Sequence, residues 1–143
     1  MFDLLAREVM EQEKALSLSP ETTVSQAAEL MARARIGAVM IVEQERLIGI
    51  FTERDALFRV LARGLDARTT RLAEVMTAEP QTVGPNASYG YALVMMQENG
   101  FRHTPVVENG KPIGIVSSRN AMDPELEEFV SEANRREHIR VGR

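Results

Sequence analysis

The sequence predicts an α+β protein built from two tandem β-α-β-β-α repeats, followed by a separate C-terminal helix. The first observation is a duplication, because residues 20–57 align with residues 85–122 at a constant offset of 65 and without a gap. Ten of the 38 paired residues are identical, Gly49 and Gly114 among them. The second observation is that each copy has an apolar stripe at helical spacing, followed by two short apolar runs around a polar turn. Each copy therefore carries one helix and one β-hairpin in the same order.

The first strand and the first helix of each repeat are predicted from short apolar segments and helix caps. The strands are expected near residues 15–18 and 81–83. The first helix of copy one follows the capping residue Thr23 and continues to about Arg35, with apolar residues at helical spacing. Its counterpart in copy two follows Ser88, which caps a helix equally well.

The two apolar runs after each helix predict a β-hairpin. They cover residues 38–42 and 47–51 in copy one, and residues 104–107 and 113–116 in copy two. Asn109 and Gly110 connect the second pair, and both residue types tolerate positive φ, as a tight hairpin requires. Gln44 and Glu45 stand at the same place in copy one, so the turn there is inferred from the repeat.

The remaining segments complete the predicted organisation. A second helix is expected from Thr52 to about residue 63, because residues 56, 57, 60 and 61 form an apolar stripe. A short lead-in, Glu8-Val9-Met10, recurs before copy two as Glu74-Val75-Met76. We predict repeat 1 with its lead-in over residues 1–65, repeat 2 over residues 66–123, and an amphipathic helix and tail over residues 124–143.

The C-terminal helix is predicted to begin at Asp123-Pro124, a cap followed by proline at the first helical position. Its acidic residues come first and its basic residues last, which matches the helix dipole. We expect its apolar face to pack on the repeats or on a partner chain. A nucleic-acid contact by the basic residues 135–143 is the alternative.

Composition excludes several classes of function. The chain has 143 residues, so each copy alone is small for a private core, and we expect the copies to share one. Cysteine is absent, which excludes disulfides, thiolate metal sites and a cysteine nucleophile, and is compatible with a reducing cytoplasm. No apolar run is long enough to predict a membrane span. The net charge of −4 opposes binding to a nucleic-acid duplex.

The segment with most chemical promise joins a predicted strand to a predicted helix. Residues 49–55 read Gly-Ile-Phe-Thr-Glu-Arg-Asp, and residues 114–120 read Gly-Ile-Val-Ser-Ser-Arg-Asn. The hydroxyl of Thr52 and the carboxylate of Asp55 fall on one face of the first helical turn, where two acceptor oxygens suit a vicinal diol such as a ribose. The same spacing is also that of a capping box, which needs no ligand. The residues alone leave both roles open.

The combination of these features resembles a tandem pair of CBS domains, called a Bateman module. The resemblance rests on the Gly-hydrophobic-x-Thr/Ser-x-x-Asp motif after a hairpin, the Val-Met lead-in and the segment 101–106, Phe-Arg-His-Thr-Pro-Val, and it covers about residues 9–122. It implies two repeats packed through their sheets with pseudo-twofold symmetry, leaving two clefts. Members of this family often bind AMP, ADP, ATP, NAD or S-adenosylmethionine there, and pairs commonly form homodimers.

The resemblance also implies roles for individual residues. Thr52 would bond ribose or phosphate and Asp55 the ribose hydroxyls, while Arg102 and His103 of the other repeat would hold phosphate in the same cleft. Copy one has Gly37 and Ala38 in place of that basic pair. The other residues expected near nucleotide are Leu18 with Ile36 and Val83 with Phe101 around adenine, Thr104 and Pro105 beside the basic pair, Ser117 and Asn120 in the second cleft, and Arg54 and Arg119 as phosphate contacts or surface charges. Asn120 replaces the expected acid, which weakens the second cleft.

The predicted function is therefore regulatory binding rather than catalysis. We expect a signal-transduction module that senses AMP, ADP, ATP or NAD as a regulatory ligand and changes a homodimer or partner interface. The alternative is a constitutive dimerisation or interaction module whose clefts are degenerate. An enzyme is not expected, because the chain has only two histidines and no clustered carboxylates resembling a catalytic dyad. Neither a catalytic cofactor nor a metal is predicted, and no membrane or nucleic-acid partner is expected.

Overall fold

The computed structural model describes residues 2–12 and 15–121, except the side chains of Asn120 and Ala121. The helix predicted over residues 124–143 lies outside the described residues. The helices are α1 (Ala6–Val9), α2 (Val24–Ala34), α3 (Glu53–Asp55), which continues as a π-helix (Ala56–Leu61), α4 (Leu72–Val75), α5 (Tyr89–Asn99) and a 3₁₀ helix (Ser118–Ala121). The strands are β1 (Ser17–Leu18), β2 (Ala38–Glu43), β3 (Arg46–Thr52), β4 (Thr77–Ala78), β5 (His103–Glu108) and β6 (Lys111–Ser117). The predicted α+β fold of two tandem repeats is confirmed.

Two sheets reflect the duplication. In the first sheet the order is β1-β2-β3-β4, with β1 parallel to β2 and the other pairs antiparallel. In the second sheet β5 and β6 form an antiparallel hairpin. The opening strand of repeat 2 is reduced to one parallel bridge between Val83 and Val106. The β2–β3 register shifts between Ile41 and Val42. The β5–β6 register shifts at the equivalent place, so even the irregularities are duplicated.

The hairpin turns have the same backbone conformation in both repeats. Asn109 and Gly110 have φ values of 55° and 81°, as expected for residues that tolerate the left-handed region. Gln44 and Glu45 adopt φ values of 51° and 66° although neither residue type favours them. The turn inferred from the repeat is therefore present, and the flanking strand pairs impose its conformation.

The two long helices begin and end as their caps predict. Thr23 accepts a hydrogen bond from the backbone of Gln26 at 3.2 Å, and the Gln26 side chain accepts from the Thr23 backbone at 3.0 Å. Ser88 accepts from the backbone of Tyr91 at 3.1 Å. α2 ends at Arg35 and α5 at Gly100, both in the left-handed conformation that terminates helices.

The short lead-in helices α1 and α4 exchange places between the repeats. Leu72 of α4, which precedes repeat 2, is buried in the core of repeat 1 and donates its backbone N–H to Thr22 at 2.8 Å. Ala6 of α1, which precedes repeat 1, is buried in the core of repeat 2 and donates to the carbonyl of Ala87 at 2.7 Å. Each repeat therefore completes its core with the lead-in of the other.

Two glycines receive the methionines that follow these lead-in helices. A Cβ atom on Gly114 would lie 2.6 Å from Sδ of Met10, and a Cβ atom on Gly49 would lie 3.1 Å from Cγ of Met76. Both separations are too short for a side chain at the glycine position without movement of the methionine. Because Gly49 and Gly114 are equivalent in the duplication, the two glycine–methionine contacts are equivalent as well.

The apolar interior is divided into three parts. Repeat 1 has a core around Phe51, and repeat 2 has a core around Tyr89. A small third cluster of Ala38, Ile50 and Ile115 lies where the two sheets meet. The shared core expected from the short repeats is thus limited to this seam, because each repeat obtains the missing apolar surface from the exchanged lead-in helix.

Tyr89 gives repeat 2 a buried polar contact that repeat 1 lacks. Its side chain is fully buried, and its hydroxyl donates to the carbonyl of Ser117 at 2.8 Å. Burial raises the pKa of Tyr89 to about 12. Val24 occupies the equivalent position in repeat 1 and cannot make this bond.

We expect this phenol to make folding stability pH-dependent in alkaline solution. An unfolded tyrosine ionises near pH ~10, so the stabilisation is complete below that pH and is lost as the pH rises towards the folded pKa of about 12. Urea titrations across that range should show a falling free energy of unfolding. Tyr89→Phe should be less stable at neutral pH by about 1 kcal/mol, because the Ser117 carbonyl loses its donor. An equal alkaline loss in Tyr89→Phe would contradict the assignment to Tyr89.

Candidate functional site

A cleft of about 610 Å³ lies between the repeats, on the side where β3 ends. Both repeats contribute to its lining, because β4 and the segment before β5 reach the first turn of α3. Six of the predicted site residues line it: Thr52, Arg54, Asp55, Phe101, Arg102 and His103. The structure therefore brings the two complementary halves of the predicted principal site to one cavity.

Thr52 and Asp55 form a capping box at the start of α3. Oδ2 of Asp55 accepts from the Thr52 backbone at 3.0 Å and from the Thr52 hydroxyl at 3.1 Å. The Asp55 backbone donates to the Thr52 hydroxyl oxygen at 3.2 Å. The side chains are thus fixed by one another at the cavity wall, and Asp55 is only 9% exposed. A second role in binding a diol would use the remaining acceptor capacity of the same carboxylate.

Arg59 orients the other oxygen of that carboxylate and was not singled out in the sequence. Its Nε lies 3.5 Å from Oδ1 of Asp55, and its Nη1 donates to the carbonyl of Met76 at 3.0 Å. The guanidinium therefore joins the first turn of α3 to the end of α4. Its spacing of four residues from Asp55 on a predicted helix was the available signal.

Arg54 connects the two repeats across the cleft. Its Nη1 donates to the carbonyl of Gly100 at 3.0 Å, at the C-terminal end of α5, where cations are favoured. Its guanidinium carbon also lies 5.9 Å from the centre of the Phe58 ring. The side chain thus has a structural task, and a phosphate contact would have to share it.

His103 lies half-buried at the seam, against Gly37 and beside the first turn of α3. A Cβ atom on Gly37 would lie 3.0 Å from Oε1 of Glu53 and 3.5 Å from Cε1 of His103. Burial lowers the pKa of His103, although the Glu53 carboxylate opposes this effect. The imidazole is therefore uncharged near neutral pH. Arg102 is exposed at the cleft and carries the positive charge of the predicted basic pair.

The other predicted site residues lie outside the lining of this cleft. Leu18 and Ile36 pack on the core of repeat 1, Ala38 lies in the seam, Val83 belongs to the core of repeat 2, and Thr104 and Pro105 are fully buried. The Thr104 hydroxyl oxygen has no hydrogen-bond partner within the described part of the chain.

The residues predicted for the second cleft follow β5 and β6 of repeat 2. Ser117 ends β6, its carbonyl accepts the Tyr89 hydroxyl, and its side chain is half-buried. Arg119 is exposed on the 3₁₀ helix, and the side chain of Asn120 is outside the description. The basic side chains of Arg102 and His103 line the first cleft, so the asymmetry predicted between the two clefts extends to where those side chains lie.

Two acidic residues of the cleft were missed in the sequence. Glu53 follows Thr52 directly, and Glu79 follows β4 with a φ of 48°. Glu53 lies inside the motif but was passed over for its neighbours. Glu79 lies in a polar segment without any periodic signal, so only the pairing of β4 with β3 brings it to the cleft.

Two other kinds of site were searched for among residues 2–12 and 15–121. No group of three or more histidine, aspartate or glutamate side chains is arranged to hold a metal ion there. None of the helices described has the length and apolar character that crossing a membrane would require.

Comparison with known proteins gives a consistent result over both repeats. A family model described as CBS domain matches residues 6–62 and 72–124. The CBS domain-containing protein YhcV of Bacillus subtilis is 37% identical over 101 residues, which are 71% of this chain and 71% of that protein. The meiotically up-regulated gene 70 protein of Schizosaccharomyces pombe is 38% identical over 101 residues, but these are only 14% of its length.

A solved structure with the same fold is the CBS domain protein of Pyrobaculum aerophilum, which is in complex with AMP. It superposes with a TM-score of 0.77 at 25% identity, covering 90% of this chain and 99% of that one. The chain thus corresponds to nearly the whole of a small relative and to a small part of a much larger one.

Proposed function

The chain belongs to the CBS-domain family, and from this premise we propose that it is a regulatory module that binds an adenosine nucleotide between its repeats. The observation that carries the proposal is the meeting of Asp55 from repeat 1 with Arg102 from repeat 2 in one cleft of about 610 Å³. A carboxylate suits ribose hydroxyls and an exposed guanidinium suits phosphate. The AMP complex of the Pyrobaculum aerophilum protein supports the choice of ligand class.

Regulation follows from the way in which the cleft is built. A ligand that contacts Asp55 and Arg102 together would hold the two repeats in one relative position. We propose that this changes the surface offered to a second copy of the chain or to a partner protein. The activity is binding, without turnover. A cytoplasmic location stays a prediction from the cysteine-free composition.

Calorimetric titration of the purified protein with AMP, ATP and NAD tests the proposal. Binding of at least one of them with a stoichiometry near one per chain is the expected result. Silence with all three would reject the proposal and favour the alternative, a constitutive interaction module with degenerate clefts.

Arg102→Ala should separate phosphate recognition from adenosine recognition. We expect AMP to bind about tenfold or more weakly, because a charge-assisted hydrogen bond is worth about 1.5–3 kcal/mol, while adenosine affinity should change little. Arg33→Ala removes an equally exposed arginine from α2, outside the cleft, and is the matched control. An equal loss for adenosine and AMP would make Arg102 a structural residue rather than a phosphate ligand.

A further inference from the structure

We infer that the cleft selects an adenosine ligand with a single phosphate over one with a polyphosphate chain, and that Glu53 and Glu79 impose this selection. The inference rests on the proposed nucleotide site and concerns the charge of its ligand. It follows from which charged side chains of the cleft are already occupied by protein partners and which remain free for a ligand.

Two of the three arginines in the cleft are already engaged. Arg54 donates to the carbonyl of Gly100 at 3.0 Å and lies by the Phe58 ring. Arg59 donates to the carbonyl of Met76 at 3.0 Å and faces Asp55 at 3.5 Å. A phosphate could recruit either only by weakening contacts that hold the first turn of α3 to its neighbours. Arg102 is the cleft cation that is exposed and has no ion pair among the described residues.

The acids divide in the opposite way. Asp55 is engaged by Thr52 and Arg59. Glu53 and Glu79 are exposed at the cleft, and within the described part of the chain neither forms an ion pair. The charges left for a ligand are therefore one positive and two negative.

The backbone holds both free carboxylates near the cleft. Oε1 of Glu53 lies against Gly37, where a Cβ atom would be only 3.0 Å away, so glycine at position 37 leaves room for this carboxylate at the seam. Glu79 has a φ of 48°, and its N–H donates to the carbonyl of Ile48 at 3.1 Å. The β3–β4 pairing thus fixes the position from which the Glu79 side chain projects. His103, next to Glu53, is uncharged near neutral pH because burial lowers its pKa and so adds no positive charge.

This charge distribution penalises added phosphates. A single phosphate monoester carries about −1.5 to −2 charge at neutral pH and can be met by Arg102. Each further phosphate adds negative charge without a free cation to receive it, while two carboxylates face the same cavity. Like charges at separations comparable to the width of the cleft repel by about 0.5 to 1 kcal/mol per pair even in a high effective dielectric.

Titrations of AMP and ATP, with a chelator present to remove divalent cations, test the inference in the full chain. Wild type should bind AMP about tenfold or more tightly than ATP. Glu53→Gln and Glu79→Gln should each raise ATP affinity about threefold, and the double variant about tenfold, with AMP affinity nearly unchanged. Retained AMP binding also shows that the variants are folded. Glu43→Gln, at the opposite end of β2 and outside the cleft, is the matched control and should alter neither affinity.

The outcomes separate this inference from the function on which it rests. AMP binding with equal or tighter ATP binding, unchanged in both glutamine variants, would overturn the charge selection and leave the nucleotide site standing. No binding of AMP or ATP to wild type would overturn the nucleotide site and the selection with it. A rise in ATP affinity that is the same in Glu43→Gln would assign the effect to net charge rather than to the cleft, and would also overturn the inference.

Discussion

Asp55→Ala is expected to remove most nucleotide binding and to lower the stability of repeat 1 at the same time. Loss of hydrogen bonds to a charged group costs about 1–3 kcal/mol, so the affinity for AMP should fall about 5- to 150-fold. The capping box with Thr52 is lost as well, which should lower the free energy of unfolding by about 1 kcal/mol. Calorimetry measures the first effect and urea unfolding the second.

Asp55→Asn is the control that separates the two effects. Asparagine keeps an acceptor for the Thr52 backbone, so stability should be largely preserved, while the charge-assisted part of ligand binding is lost. It also reproduces in the first cleft the residue that the second repeat carries at position 120. If both variants bound AMP as wild type does, Asp55 would be only a helix cap.

Gly49→Ala is expected to destabilise the protein by about 1–3 kcal/mol, because it overfills a packed contact between the repeats. The new methyl group would meet the side chain of Met76 and lie 3.1 Å from the backbone oxygen of Thr77. The methionine can move, but the backbone of β4 cannot do so without weakening its pairing with β3. Urea unfolding of the variant measures the loss.

Two further variants make this result specific. Gly84→Ala adds the same methyl group where nothing lies within 4 Å, and should change stability little. Met76→Ala combined with Gly49→Ala should be less destabilising than the two single losses added together, because the smaller side chain vacates the space that the methyl group needs. Additive losses, or equal stability of the two alanine variants, would show that the glycine–methionine contact is not tight.

The sequence carried the repeats, the hairpins and the helix caps because each rests on local rules. Thr23 and Ser88 cap their helices as their residue types predict, and the offset of 65 transferred a turn to Gln44 and Glu45 that no local signal indicated. The same comparison placed Asp55 and Arg102 in one site from their complementary divergence. That the two line one cleft agrees with the prediction, and their binding of nucleotide is the subject of the experiments above.

Other features could not be read from the chain, for a physical reason. The two lead-ins have the same apolar pattern, which is satisfied equally by packing on either repeat, so their exchange is decided only in three dimensions. Glu79 reaches the cleft through a strand pairing of two residues. Arg59 was hidden because an arginine on a helix is usually a solvated surface charge. Its partners at Asp55 and Met76 are set by tertiary packing.

The exchange of α1 and α4 has a consequence for how the chain reaches its fold. Repeat 1 lacks Leu72 and Val75 until synthesis has passed the whole of that repeat and its linker. Ala6, synthesised among the first residues, has no core to enter until β5 and β6 have formed. Neither repeat is therefore complete as an autonomous folding unit, and the two ends of this arrangement close together. Unfolding of either repeat strips a buried helix from the other, which links the two into one cooperative transition.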